Sequence, residues 1–259
     1  MNVQASTNFA QTLVALLEKV ESEKPSIAIL GYTDVMLNQS EWLELNIDQE
    51  KLVNRPNAQH LTRIHGRDDV VVVPTLTSAI NALTEREYTL TVFDFTKYEG
   101  SEIEADFNLP ISEKFHRKFD LVIDAGTCEH IFNIAQAFSN ILQMLKVGGV
   151  AFHGGPLCWP NHGFYGYNPT LFCDFYEANG CSILELYLYT DIKQAHSIQR
   201  VTINNVPKYE RFTMAGALSE HQDMLKREYN LVCVAKKEQN TPSVVFPIQS
   251  KYRNKQSWK

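Results

Sequence analysis

The densest run of reactive side chains is Phe119-Asp120-Leu121-Val122-Ile123-Asp124-Ala125-Gly126-Thr127-Cys128-Glu129-His130-Ile131-Phe132-Asn133. Leu121 to Ile123 reads as a buried strand that delivers Asp124, Gly126 permits close backbone approach, and Glu129 and His130 follow on the first turn of a helix. His130 has the pKa range of a general base near neutrality, although a histidine at a helix start also serves as a structural donor. Glu129 reads either as a ligand-binding acid or as a helix cap. Two more strands end in acids: Leu90 to Phe93 runs into Asp94, and Ile103 leads to Asp106. A carboxylate ending a second strand can accept two hydrogen bonds from ribose hydroxyls, which is why nucleoside-binding sheets carry one there. Asp94 taken alone reads as readily as a turn residue. Asp106 could accept from an exocyclic adenine amine or, nearly as well, form a turn.

Positioning these groups takes a framework, and the chain is built for one. Its 259 residues carry a net charge of -6, with 44% hydrophobic and 21% charged residues, a composition that excludes disordered and fibrous classes. No run approaches the roughly 18 apolar residues needed to cross a bilayer, and no basic flank precedes the first apolar residues, so neither membrane insertion nor secretion is expected. Cys128, Cys158, Cys173, Cys181 and Cys233 form no CxxC pair, which fits a reducing, cytoplasmic setting. The acidic balance offers no footprint for a nucleic-acid backbone.

A leading helix runs through Leu13, Leu16, Leu17 and Val20 and stops at Pro25; Ile27 to Leu30 is an apolar strand ending at Gly31. A polar, Asn-rich stretch follows, with a short strand at Val70 to Val73 and a helix from Ser78 to Glu87. After Asp124 the spacing predicts a helix whose face is Ile131, Phe132, Ala135, Phe138, Ile141, Leu142 and Leu145, ended by Gly148 and Gly149. Val150 to Phe152 is a strand leading into a loop rich in Gly and Pro. Asn168 caps the next helix, with Pro169 first inside and Gly180 as terminator. Ser182 to Tyr189 and Asn230 to Ala235 read as strands flanking a weak helix at Ala215 to Arg227, and Lys251 to Lys259 as a tail. The expected fold class is therefore α/β: a Rossmann-like, mostly parallel sheet with helices on both faces and right-handed crossovers, in one domain over 1–259 with a leading helix in 1–25 and a tail in 240–259.

The stretch from about Asp94 to Gly180 resembles the class I methyltransferases that use S-adenosylmethionine. The likeness is carried by Asp124 to Phe132, Leu145 to Gly149 and His162 to Tyr165, with Tyr98-Glu99-Gly100 and Asp106-Phe107-Asn108 also similar. It is specific over the middle third of the chain and extends to the rest by element order. The resemblance implies a seven-stranded sheet with an antiparallel final strand, S-adenosylmethionine as cofactor, and methyl transfer to an oxygen, nitrogen or carbon nucleophile. It makes Gly31, Asp94, Asp106, Asp124, Gly126 and Glu129 the cofactor-binding candidates. One departure stands out: Gly31-Tyr32-Thr33-Asp34 has one glycine where the family usually has several closely spaced ones, so the cofactor's amino-acid part is held by other groups, such as Asp34 or those around Gly126, or its binding has been lost.

In-line displacement at a sulfonium methyl draws much of its acceleration from alignment and exclusion of water, and gains from a base when the acceptor is a hydroxyl. His130 is the foremost catalytic candidate, with His153 at the end of the fifth strand and His162 in the glycine-rich loop as alternatives that could also face an acceptor. Either imidazole is chemically competent to ligate a metal. Together with Asp124 and Glu129, however, they are scattered over separate elements without compact ligand spacing, and no metal site is expected. Trp159, Tyr165 and Tyr167, beside Phe164, would wall the acceptor side against a cationic sulfonium or a ring-bearing substrate; core packing is the alternative, and the better one for Phe164.

The leading expectation is O- or N-methylation of a small molecule that is sugar-like, peptide-like or a natural product, with no nucleic-acid or membrane partner and with a homodimer left open. A non-catalytic binding or scaffold protein on the same fold is the alternative. A nicotinamide-dependent dehydrogenase is disfavoured because the G-x-G-x-x-G fingerprint is missing after the first strand.

Overall fold

Successive residues of the first strand point to opposite sides of a sheet, and here both sides are apolar and buried. Ile27 and Ile29 join one hydrophobic cluster, Ala28 and Leu30 another. A strand of this kind belongs in the middle of a layered α/β structure. The computed structural model describes residues 6–36, 38, 43, 49–55, 72–97, 103–159, 161–191, 198–202 and 229–253.

Helix α1 (Ser6–Glu18) precedes β1 (Ser26–Leu30), and α2 (Leu76–Leu83) precedes β2 (Thr89–Asp94) and the short β3 (Ile103–Glu104). β4 (Phe119–Ala125), α3 (Ile134–Met144) and β5 (Leu145–Pro156) follow, then α4 (Pro169–Ala178) and β6 (Cys181–Asp191). β7 (Ile198–Thr202), β8 (Tyr229–Lys237) and the one-turn α5 (Ser250–Arg253) complete the described elements.

The strands form one sheet in the order β3-β2-β1-β4-β5-β8-β6-β7. β1 to β5 run parallel, and β8 lies antiparallel between β5 and β6. This is the mostly parallel sheet with an antiparallel late strand that was expected, and β7, antiparallel to β6, adds an eighth strand at the edge. α1 and α2 cover one face through Leu13, Leu16, Leu17, Ala79 and Ile80; α3 and α4 cover the other through Phe138, Ile141, Leu142, Phe172 and Tyr176.

Several boundaries differ from the sequence reading for local reasons. α2 starts earlier than Ser78, because Thr75 caps it by accepting from Ser78 N–H at 3.3 Å, and it ends at Leu83. Of the strand expected at Val70 to Val73, Val70 and Val71 lie outside the described residues; just past it, Pro74 pairs with Asn54 as an isolated bridge. Asn133 caps α3, accepting from Gln136 N–H, so Ile131 and Phe132 fall outside the helix and Phe132 is 69% exposed. Gly148 and Gly149 do not end that helix but lie inside β5, which begins at Leu145 beside Phe119. The Asn168-Pro169 start and Gly180 stop of α4 are as expected. The helix expected at 215–227 lies outside the described residues.

At the amino ends of the strands, Asp120 Oδ2 accepts from Ser26 N–H at 2.8 Å, from the Ser26 hydroxyl at 2.7 Å and from the Lys146 ammonium at 2.7 Å, tying β1, β4 and β5 together. Burial alone would raise the Asp120 pKa, but these donors and the Lys146 charge outweigh it and hold the carboxyl below its ordinary value.

Candidate active site

Strand order reverses between β1 and β4, the switch point where ligands bind to sheets of this kind beyond the carboxyl ends. Gly31 leaves β1 with φ +72° and donates to the Phe93 carbonyl at 2.7 Å. A Cβ there would lie 2.6 Å from Thr127 Oγ1, and the Thr127 hydroxyl donates to the Leu30 carbonyl at 2.6 Å. The open side of the glycine is thus taken by the chain's own β4 loop, which floors the crevice. Past Gly31, the buried Arg55 guanidinium pairs with Asp34 and stacks 4.2 Å over the Tyr32 ring, so Asp34 already carries a counter-charge.

Asp94 ends β2 beside this turn. Its Oδ2 accepts from Tyr32 N–H at 3.1 Å and its Oδ1 from Thr96 N–H at 3.3 Å. A carboxylate offers about four acceptor sites, so the half-buried Asp94 keeps capacity for a ligand. Asp106 is exposed, and its Oδ1 accepts from the backbone and side-chain N–H of Asn108 at 2.9 and 2.8 Å, the turn-forming alternative.

Beyond β4 the candidates separate into two groups. Asp124 is fully buried: Oδ1 accepts from Thr127 and Cys128 N–H, each at 3.0 Å, while Oδ2 meets His153 Nδ1 at 2.8 Å and the Tyr167 hydroxyl at 3.0 Å. Burial would raise its pKa, yet the bond to His153 and the two backbone donors keep it below the ordinary value. His153 is equally buried, stacks on Phe138 at 4.7 Å, and places Nε2 2.5 Å from the Tyr176 hydroxyl. With a carboxylate at Nδ1, the ring donates there and accepts from Tyr176 at Nε2. The expectation that His153 faces an acceptor is therefore corrected, since both nitrogens are committed inside the core. Asp124 has no oxygen turned to a ligand, and Tyr167, 1% exposed, lines no open surface.

The second group faces outward. Cys128–His130 form a single 3-10 turn after the left-handed Gly126, at φ +94°. The Glu129 side chain is 2% exposed, with Oε2 3.2 Å from the Tyr167 hydroxyl and Oε1 3.9 Å from His130 Nε2 and 3.8 Å from His162 Nε2. Burial and the Asp124 charge push its pKa up to about 8. Burial and neighbouring His162 lower that of His130, whose side chain is 48% exposed.

The loop that brings His162 here is stitched to Glu129. The Glu129 carbonyl accepts from Phe164 N–H at 2.8 Å and Tyr165 N–H at 3.3 Å, and the Tyr165 hydroxyl donates to the Phe132 carbonyl at 2.8 Å. Gly163, at φ +67°, packs so closely that a Cβ would lie 2.9 Å from the Glu129 oxygen. Phe132 and Phe164 meet edge to face 5.5 Å apart and stay exposed, while the half-buried Trp159 packs on His162 at 5.1 Å. The core reading of Phe164 is thereby corrected. Spacing in sequence hid the Glu129-His130-His162 cluster, because 32 residues separate its two parts. The partnership of His153 with Tyr176 was equally hidden, since Tyr176 read simply as an apolar position of a helix.

No protein-family model matches the chain, and no curated protein does. Among solved structures it is similar to a SAM dependent methyltransferase from Archaeoglobus fulgidus, at 12% identity and TM-score 0.45, over 90% of this chain and 94% of that one. It is also similar to the Burkholderia thailandensis 1,6-didemethyltoxoflavin-N1-methyltransferase, solved with its substrate and S-adenosylhomocysteine, at 11% identity and TM-score 0.44, over 92% and 79%.

Proposed function

We propose that this protein binds S-adenosylmethionine and transfers its methyl group to an oxygen or nitrogen of a small molecule. The observation that carries the reading is one of placement: Asp94 at the end of β2 and the Glu129-His130-His162 cluster after β4 lie on the same edge of the sheet, on either side of β1. An acid with spare acceptor sites suits ribose hydroxyls, and two imidazoles two strands away suit the proton of an acceptor hydroxyl. The exposed Phe132 and Phe164 rings and Trp159 offer a ring-bearing or sugar-like acceptor a face to stack on.

The adenosine end of the cofactor fits what the chain provides, with Asp94 as its ribose partner. For the methionine end, the glycine cradle is taken by Thr127, so backbone groups around Tyr32 and Gly126 would hold it. When bound, the cofactor supplies the electrophilic methyl group; the chain's part is to orient the acceptor, exclude water and accept a proton. The filled glycine turn equally favours a second reading, a binding or scaffold protein that keeps the fold without the reaction. Titration calorimetry with S-adenosylhomocysteine separates the two. Binding is expected, and Asp94→Ala is expected to weaken it by about 1.5 to 3 kcal/mol, the range for hydrogen bonds to a charged group. Absence of heat overturns the methyltransferase reading, and unchanged affinity in the variant reduces Asp94 to a turn residue.

A further inference from the structure

The cluster that the sequence dispersed has the composition of a metal centre. We propose that Glu129, His130 and His162 bind one divalent cation of the zinc class, leaving a coordination position open toward solvent. Their ligand atoms all lie within 4.8 Å of one another, with the carboxyl oxygen 3.9 and 3.8 Å from the two imidazole nitrogens. Small side-chain movements bring each atom to the roughly 2.0 to 2.2 Å that zinc requires of nitrogen and carboxylate oxygen. Two histidines and one carboxylate form the donor set of zinc sites that keep a fourth position free.

Three further features make this a built site rather than a chance meeting. The carboxyl is nearly sealed while the two imidazoles are 48% and 30% exposed, so one side is anchored in protein and the other open. The carboxyl oxygen turned away from the histidines meets the Tyr167 hydroxyl, the kind of outer hydrogen bond that orients a ligating carboxylate. Tyr167 also reaches Asp124 Oδ2 at 3.0 Å, which ties the support of this carboxyl to the buried pair behind it. Finally, the two backbone bonds to the Glu129 carbonyl and the close seat of Gly163 fix the His162 loop against its partners. The inference stands independently of methyl transfer. If the proposed function also holds, the cation would act on the acceptor in place of the two imidazoles, which as ligands no longer take up its proton: an acceptor hydroxyl at the open position would be polarised and made more acidic.

The test uses the full chain stripped with a chelator and then dialysed free of it. Titration calorimetry with zinc chloride is expected to give one equivalent of binding, with magnesium chloride giving none because that ion demands oxygen ligands. His130→Ala and His162→Ala, both at partly exposed positions, are each expected to lose more than about 100-fold in zinc affinity, beyond the 10- to 100-fold typical of outer partners. Cys158→Ser, which alters an exposed thiol in the same loop, is expected to bind as the parent does. Zinc heats that persist in both histidine variants, or vanish in Cys158→Ser, overturn the assignment, as does a parent that binds no zinc. Circular dichroism keeps a misfolded variant from being counted, and the pair of histidine variants gives two chances at a folded one. S-adenosylhomocysteine titrated in parallel distinguishes the failures: zinc without the nucleoside leaves the cation site standing alone, and the nucleoside without zinc removes only the cation.

Discussion

Two imidazole–carboxyl groupings sit within a few residues of each other at the end of β4, and they are opposites. His153 with Asp124 is sealed, and every polar atom of the pair has a partner: two backbone N–H groups, Tyr167 and Tyr176. Glu129 with His130 and His162 is open on one side, and its members approach one another at 3.8 to 3.9 Å without closing a hydrogen bond. Residue type does not distinguish them. What does is whether solvent can reach the group. The sealed set has the form of a catalytic dyad and the energetics of a structural keystone; the open set retains capacity for chemistry.

The largest effect expected from this contrast is on stability. Asp124→Ala strands two backbone donors and the Nδ1–H of a buried imidazole, while Tyr167 keeps Glu129 as an acceptor, and should cost about 3 to 5 kcal/mol in urea unfolding, the range for removing one partner of a buried pair. A loss below about 1 kcal/mol would erase the distinction between the two groups. Tyr176→Phe tests the sealed set more gently: it leaves His153 Nε2 without its donor and should cost about 1 to 3 kcal/mol. The outer imidazole of His130, replaced by alanine, should by comparison change stability by no more than about 0.5 kcal/mol, as surface positions do.

The smallest expected effect lies at the opposite end of β4, where Asp120 supplies a contrasting acid with a lysine partner. Its folded pKa lies below the unfolded value of about 3.9, so its contribution is present above that pH and lost as pH falls through the folded value. Asp120→Asn should remove that part of the acid-side slope of unfolding free energy, measured from about pH 5 down to 3. An unchanged slope would assign the acid sensitivity to other carboxyls, Asp124 first.

Much of the frame was legible in the chain because it depends on local pattern. Apolar runs marked β1, β2, β4 and the centre of β5, and Asn168-Pro169 and Gly180 bounded α4 through capping chemistry. Where cap and strand competed, the reading slipped: Leu145 suited a helix face as well as a strand, and its pairing with Phe119 decided the matter. Site residues were found by type but sorted poorly. Nothing near His153 in sequence reveals that Tyr176, on a helix 23 residues later, satisfies its outer nitrogen. Likewise, Gly163 looked like loop composition, whereas its use is to let a backbone lie against Glu129.

The position of β8 bears on how the molecule is assembled. The last of the described strands is the one that joins β5 to β6, so β6 and β7 have no place in the sheet until it is laid down. During synthesis, β1 to β5 can pair as they emerge, but β5 must wait with a bare edge while some seventy residues pass, a stretch in which an exposed apolar strand invites the wrong neighbour. Closure also carries an internal latch: Lys237, at the end of β8, reaches in to donate 2.9 Å bonds to the carbonyls of Leu142 and Leu145 where α3 gives way to β5. The strand that finishes the sheet thereby also secures the end of a helix formed long before it.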